Sequence, residues 1–292
     1  LLFCKYHVRT MPDAISYEID EQRHIAHIEL DRPASMNALS RQLIDEYLAA
    51  LEQAESDNQV RVIVVSGSGD QAFAAGFDME PESNDGEYSS DAVPSVKDHL
   101  DVFEWATEPV YATWDCSKPV IAAVQGYCLS GGSDLAMACD IVIAAEDAEF
   151  GYPGVRQGGV PPALTYPFVM NLHEAKEMLF SGKTIDSERA QELGMVNRVV
   201  PTQELMSEVH GEVAEIRKVP GQGVRILKQV LNGIAEEQGA RPGMKYSHLF
   251  DALAHRTEYG KEFYNRGAEG GMEAALEFMN ERDKMMSPEH EE

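Results

Sequence analysis

Three short, nearly continuous apolar runs most restrict how this chain can fold: Val60–Ser66 (VRVIVVS), Pro119–Gln125 (PVIAAVQ) and Asp140–Ala145 (DIVIAA). Such β-branched runs read as strands buried on both faces. The segments between them have room for helices, so the runs predict crossover connections and an α/β sheet. Upstream, residues 15–30 alternate as a β-hairpin: Ile15–Ile19, a turn at Asp20–Gln22, then Arg23–Leu30 with Ile25, His27 and Glu29 on one face. Ser40 is placed to cap a helix running to about Ser56, with Leu43, Tyr47, Leu48 and Leu51 as its apolar stripe. Val96–Trp114 reads as another helix. After Pro162 helical patterns dominate, over about 173–181, 186–193, 203–217, 222–237 and 245–283.

Four segments are expected. Residues 1–13 form a disordered N-terminal extension, 14–200 an α/β core, 201–283 a helical C-terminal region and 284–292 an acidic tail. Residues 80–95 are polar, acidic and rich in turn formers, and read as a mobile surface loop. No apolar run approaches the roughly 18–20 residues of a membrane span, and residues 1–10 are too short for a signal peptide.

The 292 residues carry 50 acidic against 24 basic side chains, a formal net charge of −26. Nucleic-acid binding runs on clustered Lys and Arg, so this balance argues against a nucleic-acid partner. It argues equally against an anionic membrane surface. The scarcity of Lys beside Asp and Glu fits either a high-salt interior, where ions screen self-repulsion, or simply an acidic soluble protein. Cys4, Cys116, Cys128 and Cys139 form no CxxC pair, and buried free thiols in a reducing cytoplasm are the expectation. No histidine–cysteine spacing suggests zinc, so no metal is expected.

Two glycine-containing segments carry the chemistry. Ala72–Asp78 (AFAAGFD) follows the first buried strand, and its small residues allow close backbone approach to a ligand. Gly126–Asp140 (GYCLSGGSDLAMACD) follows the second, and Gly131–Gly132 opens a short apolar helix. A helix start presents unpaired N–H groups and the positive end of the dipole, which suits a developing oxyanion. Asp134 lies three residues after Gly131, one turn along the same face.

Together these segments resemble the enoyl-CoA hydratase/isomerase (crotonase) family. Leu30–Leu39 (LDRPASMNAL) resembles its opening CoA-contact segment, AFAAGFD its first oxyanion-hole loop, and GYCLSGGSDLAMACD with AEFGYPGVRQGGVPP its signature. Ser181–Pro201 (SGKTIDSERAQELGMVNRVVP) resembles a later helix–turn block, so the likeness covers about residues 14–235. It implies a ClpP-like spiral of β-β-α turns followed by helices that build a homotrimer or a dimer of trimers. It implies an acyl-CoA substrate and no separate cofactor. The oxyanion-hole N–H groups fall on Phe77 and Gly131, where only backbone is needed. The substrate-contact positions fall on Ala34, Met36, Ala75, Asp78, Met79, Gly132, Pro153 and Gly154.

Two departures bear on the reaction. The family's first catalytic glutamate falls on Asp134, about 1.5 Å shorter in reach, and its second falls on Gly154, which has no acid or base. Tyr152 and Arg156, two residues to either side, would point with position 154 in an extended segment. Glu80, Glu82, His99 and Glu104 are further candidates, each also readable as a solvated loop or helix residue. Enoyl-CoA hydration or isomerisation is the expected activity. Decarboxylation, thioester hydrolysis, carbon–carbon bond chemistry or a non-catalytic CoA-binding role stand as alternatives.

Overall fold

The computed structural model describes residues 7–8, 14–78 and 95–285. The main sheet has seven strands in the order β1-β2-β3-β4-β6-β8-β11. Strand β2 (Ile15–Asp20) and β3 (Ile25–Leu30) form the expected hairpin, with Ile15 opposite Leu30. Parallel pairing then runs through β4 (Val62–Gly67), β6 (Val120–Val124), β8 (Ile141–Ala145) and β11 (Arg198–Val200). The short strand β1 (His7–Val8) pairs antiparallel with β2, so these two residues depart from the expected disordered extension. The remainder of residues 1–13, together with 79–94 and 286–292, lies outside the described residues.

The period-2 geometry of a strand explains the continuous apolar runs. Ile63 and Val65 enter the main core with Ala122, Val124, Val142 and Ala144. Val62 and Val64 point the other way, joining Ile25, Ile121, Ala123, Ile143 and Ala145 under α7 (Leu205–Ile216), which contributes Leu205, Val209 and Val213. Both faces are covered, so both sets of positions must be apolar.

Helix α1 (Arg41–Ser56) starts where the cap was expected: Ser40 Oγ accepts from Leu43 N at 3.2 Å. It packs Leu43, Ile44, Tyr47 and Leu51 into the main core, beside α2 (Val96–Asp115). A second sheet of four strands, in the order β10-β9-β7-β5, closes the other side of that core. It comprises β5 (Ala72–Ala74), β7 (Tyr127–Leu129), β9 (Glu149–Gly151) and β10 (Thr184–Asp186). Phe73, Cys128 and Phe150 are its core contributions. Helix α3 (Gly131–Ala138) lies against β5 and β7. Cys116, Cys128 and Cys139 are buried free thiols.

Short helices α4 (Tyr166–Val169), α5 (Leu172–Ser181) and α6 (Ser187–Leu193) surround the second sheet. After α7 come α8 (Gly221–Glu237), α9 (Ala240–Ala254) and α10 (Glu258–Met285), the last broken at Gly271, whose φ is 75°. Helix α8 is pinned by Lys228. Its ammonium is 2.7 Å from Asp140 Oδ2 and also donates to the carbonyls of Thr113 and Lys118. No described helix is long and apolar enough to cross a membrane.

Candidate active site

Two loops are fastened edge to edge to make one wall. A 3-10 turn at Pro33–Ser35 ends with Met36 and Asn37 at positive φ, 49° and 54°. The buried Asn37 side chain holds that shape: Oδ1 accepts from Arg32 N, and Nδ2 donates to the carbonyls of Ser68 and Ala72. Ala75 N donates to Met36 O at 3.0 Å, Leu39 N to Gly76 O at 2.8 Å and Asp78 N to Leu39 O at 3.1 Å. Leu39 and Phe77 thus form a parallel bridge in which the Phe77 N–H points away from Leu39. Asp78 is buried and its carboxylate is 2.7 Å from Arg32 Nη1, an ion pair that ties the two loops together. Ala34 and Met36 are exposed on the outer loop.

The opposing loop is the turn from β7 into α3. Ser130 adopts φ 50° and ψ −125°, a strained conformation for a residue with a β-carbon. That turn puts Gly131 at the first position of the helix, where its N–H has no intrahelical partner. Gly132 is placed for packing: a β-carbon there would overlap the Ala74 carbonyl, so glycine lets α3 approach β5. A β-carbon at Gly76 would lie 2.9 Å from Ser130 Cβ, so the two loops touch. Among the described residues no group accepts from Phe77 N or Gly131 N. Two free amide donors therefore stand side by side on neighbouring loops.

A cavity of about 140 Å³ opens beside them, lined by Ala75, Gly76, Phe77, Ser130, Tyr152 and Gly154, with Phe103, Asp251, His255 and Tyr264 on its other walls. Asp134 does not line it. Its carboxyl is fully buried, neither oxygen has a hydrogen-bond partner among the described residues, and burial pushes it well above the usual carboxylate range. Burial likewise pushes Tyr166 and Cys128 upward, and both lie close enough to feel any charge on Asp134. Burial thus favours the protonated form of Asp134, which sits one helical turn from Gly131.

Position 154 differs from the sequence expectation. Residues Pro153–Gln157 are not extended but form a 3-10 turn, so Tyr152 and Arg156 diverge. Arg156 turns to the outside, where Nε donates to Ser181 O at 3.0 Å. Tyr152 instead occupies the space a side chain at 154 would need: a β-carbon on Gly154 would be 3.1 Å from Tyr152 Cε1 and 3.5 Å from Ser130 Oγ. Met79, Glu80 and Glu82 lie outside the described residues.

The far wall holds a group that sequence reading largely missed. His99 Nε2 is 3.0 Å from Asp251 Oδ2, and His255 Nε2 is 3.2 Å from Asp251 Oδ1. Val160 N donates to the same Oδ1 at 2.6 Å. Burial works to raise the Asp251 carboxyl, but hydrogen bonds from His255 and His99, the His255 charge and the Val160 N–H outweigh it and hold it down at about 2. Ligand atoms of the three side chains all lie within 4.8 Å of one another, the one such group among the described residues that has the donor set for a divalent cation. The Asp251–His255 pair at i, i+4 was visible in the sequence. Its meeting with His99, 152 positions earlier, was not.

Comparison with known proteins identifies the family and the fold. The model of the enoyl-CoA hydratase/isomerase family matches residues 20–267. A probable enoyl-CoA hydratase of Mycobacterium bovis is 31% identical over 82% of this chain and 90% of its own length. Another, of Rhizobium meliloti, is 32% identical over 85% and 94%. Among solved structures, an enoyl-CoA hydratase/isomerase from Xanthobacter autotrophicus Py2 superposes with a TM-score of 0.84 at 31% identity, covering 93% of this chain and 99% of that one. An enoyl-CoA hydratase from Mycobacterium smegmatis gives 0.83 at 29% identity, covering 92% and 94%. The fold is the crotonase fold, and the chain belongs to the enoyl-CoA hydratase/isomerase family.

Proposed function

We propose that this protein transforms an acyl-CoA thioester whose carbonyl oxygen is held by Phe77 N–H and Gly131 N–H while it gains negative charge. The observation that carries this reading is the pair of acceptorless amides on touching loops beside one cavity. Preorganised donors of this kind are worth roughly 10²–10³-fold in rate each. Ala34, Met36 and Ala75 belong to the loops that would contact the CoA portion, and Met79 is proposed as a further contact. Asp134 is the acid–base residue of this reading, its carboxyl held toward the protonated form by burial; it does not line the cavity, so its part in turnover is what Asp134→Asn tests. No metal or separate cofactor enters this scheme.

Hydration of a short 2-enoyl-CoA is the first reaction to test. A different crotonase-type reaction, such as decarboxylation, thioester hydrolysis or carbon–carbon bond cleavage, is the second reading, favoured by the Tyr152 ring where position 154 has no carboxylate. Assembly as a homotrimer or dimer of trimers is proposed through α8 and α9, where Leu227, Val230, Leu231, Tyr246 and Phe250 are each more than half exposed. A cytoplasmic location is consistent with the buried free thiols.

The test is loss of the conjugated thioester absorbance of crotonyl-CoA in high-salt buffer, run beside calorimetric binding of butyryl-CoA. Binding with hydration supports the first reading. Binding without hydration supports the second, and absence of binding overturns both.

A further inference from the structure

We infer that His99, Asp251 and His255 hold a divalent transition-metal ion of the zinc class on the far wall of the cavity, joining α2 to the end of α9. This site stands apart from the acyl-CoA reading and uses no step of that chemistry. Two histidine Nε2 atoms converge on one carboxylate, 3.0 Å from Oδ2 and 3.2 Å from Oδ1. The three ligand atoms, one from each side chain, lie within 4.8 Å of one another. In a four-coordinate zinc site with bonds of about 2.0–2.1 Å, neighbouring donors stand roughly 3.3 Å apart. The two short edges of the cluster already have that spacing. Two imidazoles and one carboxylate are a donor set for zinc and related ions, whereas magnesium and calcium take oxygen ligands.

Gly159 keeps the space for an ion. A β-carbon there would lie 2.9 Å from His255 Nε2 and 3.2 Å from Asp251 Oδ1, with the Gly154 carbonyl oxygen next at 3.7 Å. Apart from the chain neighbours of Gly159, the three heavy atoms nearest that point are thus a nitrogen and two oxygens, each able to bind a cation. Gly154, Gly159, Asp251 and His255 also line the cavity, which gives the ion a way in.

The surroundings hold the donors in place. Asp251 and His255 are one helical turn apart, so their side chains leave the same face. Val160 N donates to Asp251 Oδ1 at 2.6 Å, and the His99 ring stacks on Phe103 at 4.6 Å. Contacts of this kind orient metal ligands, and an apolar shell controls how solvent reaches them. The field of a chain with net charge −26 draws cations to many places on its surface, so selectivity has to come from the two imidazoles. The same distances also suit two plain hydrogen bonds to Asp251, and the experiment separates the two arrangements.

The experiment titrates Zn²⁺ into the chelator-stripped full chain by calorimetry, with excess Mg²⁺ present to occupy surface carboxylates. Co²⁺ serves as a second probe, read by its visible ligand-field absorption. Wild type should bind Zn²⁺ at this site despite the Mg²⁺, gain thermal stability on binding, and show Co²⁺ absorption. His99→Gln and His255→Gln each remove one imidazole and should weaken Zn²⁺ binding by more than about 10-fold. Gly159→Ala keeps every side-chain donor but fills the space beside them, and should weaken binding by about 10-fold or more. It also serves where a histidine variant fails to fold. Wild-type Zn²⁺ affinity in folded His99→Gln or His255→Gln, no binding by wild type, or binding that Mg²⁺ abolishes overturns the inference. Unchanged affinity in folded Gly159→Ala overturns the placement of the ion beside that residue.

Discussion

The ring of Phe77 rests on the backbone of Gly131: a β-carbon at 131 would stand 2.8 Å from both Cε2 and Cζ of that ring. The two residues that offer the free amides are therefore also packed on each other through side chain and α-carbon. The ring lines the cavity on one side and meets Phe103 edge-to-face on the other.

This contact separates the backbone role of Phe77 from its side-chain role. Gly131→Ala should force the ring aside and lower thioester turnover by about 10²-fold, a displacement effect of ordinary size for a positioned donor. Phe77→Ala keeps its N–H and should lose less than about 10-fold. Removing the ring makes room for the new methyl, so the double variant should be more active than Gly131→Ala alone, a non-additivity expected of residues in contact. Steady-state kinetics on the four proteins checks this, and strictly additive losses would show that the ring contact has no bearing on the amide pair.

Installing a carboxylate at 154 is the natural attempt to complete a two-acid site, but the Tyr152 ring stands in the way. Gly154→Glu alone should show no gain in crotonyl-CoA hydration. Combined with Tyr152→Ala, which frees that space, hydration should rise by about 10-fold or more. The same absorbance assay decides it, and a gain in the single variant would mean the ring yields readily.

Asp134 should trade stability for function. Its folded-state pKa is raised by burial, so the folded protein keeps a proton that the unfolded chain releases above about pH 4. Stability from this residue is therefore intact below pH 4 and declines as pH rises toward the folded pKa. Asp134→Asn cannot ionise, and its stability relative to wild type should grow as pH rises above about 4 in urea titrations. Turnover should meanwhile fall by about 100-fold. A pH-independent difference would mean that Asp134 ionises freely in the fold.

The parts of the molecule legible in the sequence were those set by local rules. Burial on both faces writes strands such as Val62–Gly67 as unbroken apolar runs, and Ser40 marks the start of α1 through one cap hydrogen bond. The glycines that open α3 marked its first turn. What escaped were relationships between distant segments. The 3-10 turn at Pro153–Gln157 sends Tyr152 and Arg156 in different directions where an extended chain would align them. Asp134 is closed off from the cavity by packing that its own neighbours in sequence do not reveal. His99 reads alone as a residue of a surface helix, and becomes buried only because α9 brings Asp251 against it.

A second pH effect comes from the opposite side of the main sheet, away from this cluster. His27 on β3 meets His210 of α7 at 5.8 Å, ring edge to face. Burial first, and then the charge of His210, with Arg23 adding and Asp20 opposing, lowers His27 to about 4. The unfolded chain binds a proton on this side chain as pH falls through about 6.5, while the folded chain resists until about 4. The stability held above pH 6.5 is therefore lost progressively between those values, by up to about 3 kcal/mol. His210 is lowered too, chiefly by burial, and adds in the same direction. His27→Gln removes the larger contribution, so its unfolding free energy should fall less steeply than wild type between pH 7 and pH 4.5. Urea titrations across that range make the comparison at constant salt, which matters for a chain of net charge −26. Parallel slopes for the two proteins would mean that the β3–α7 interface opens enough to hydrate His27, and that acid sensitivity arises elsewhere.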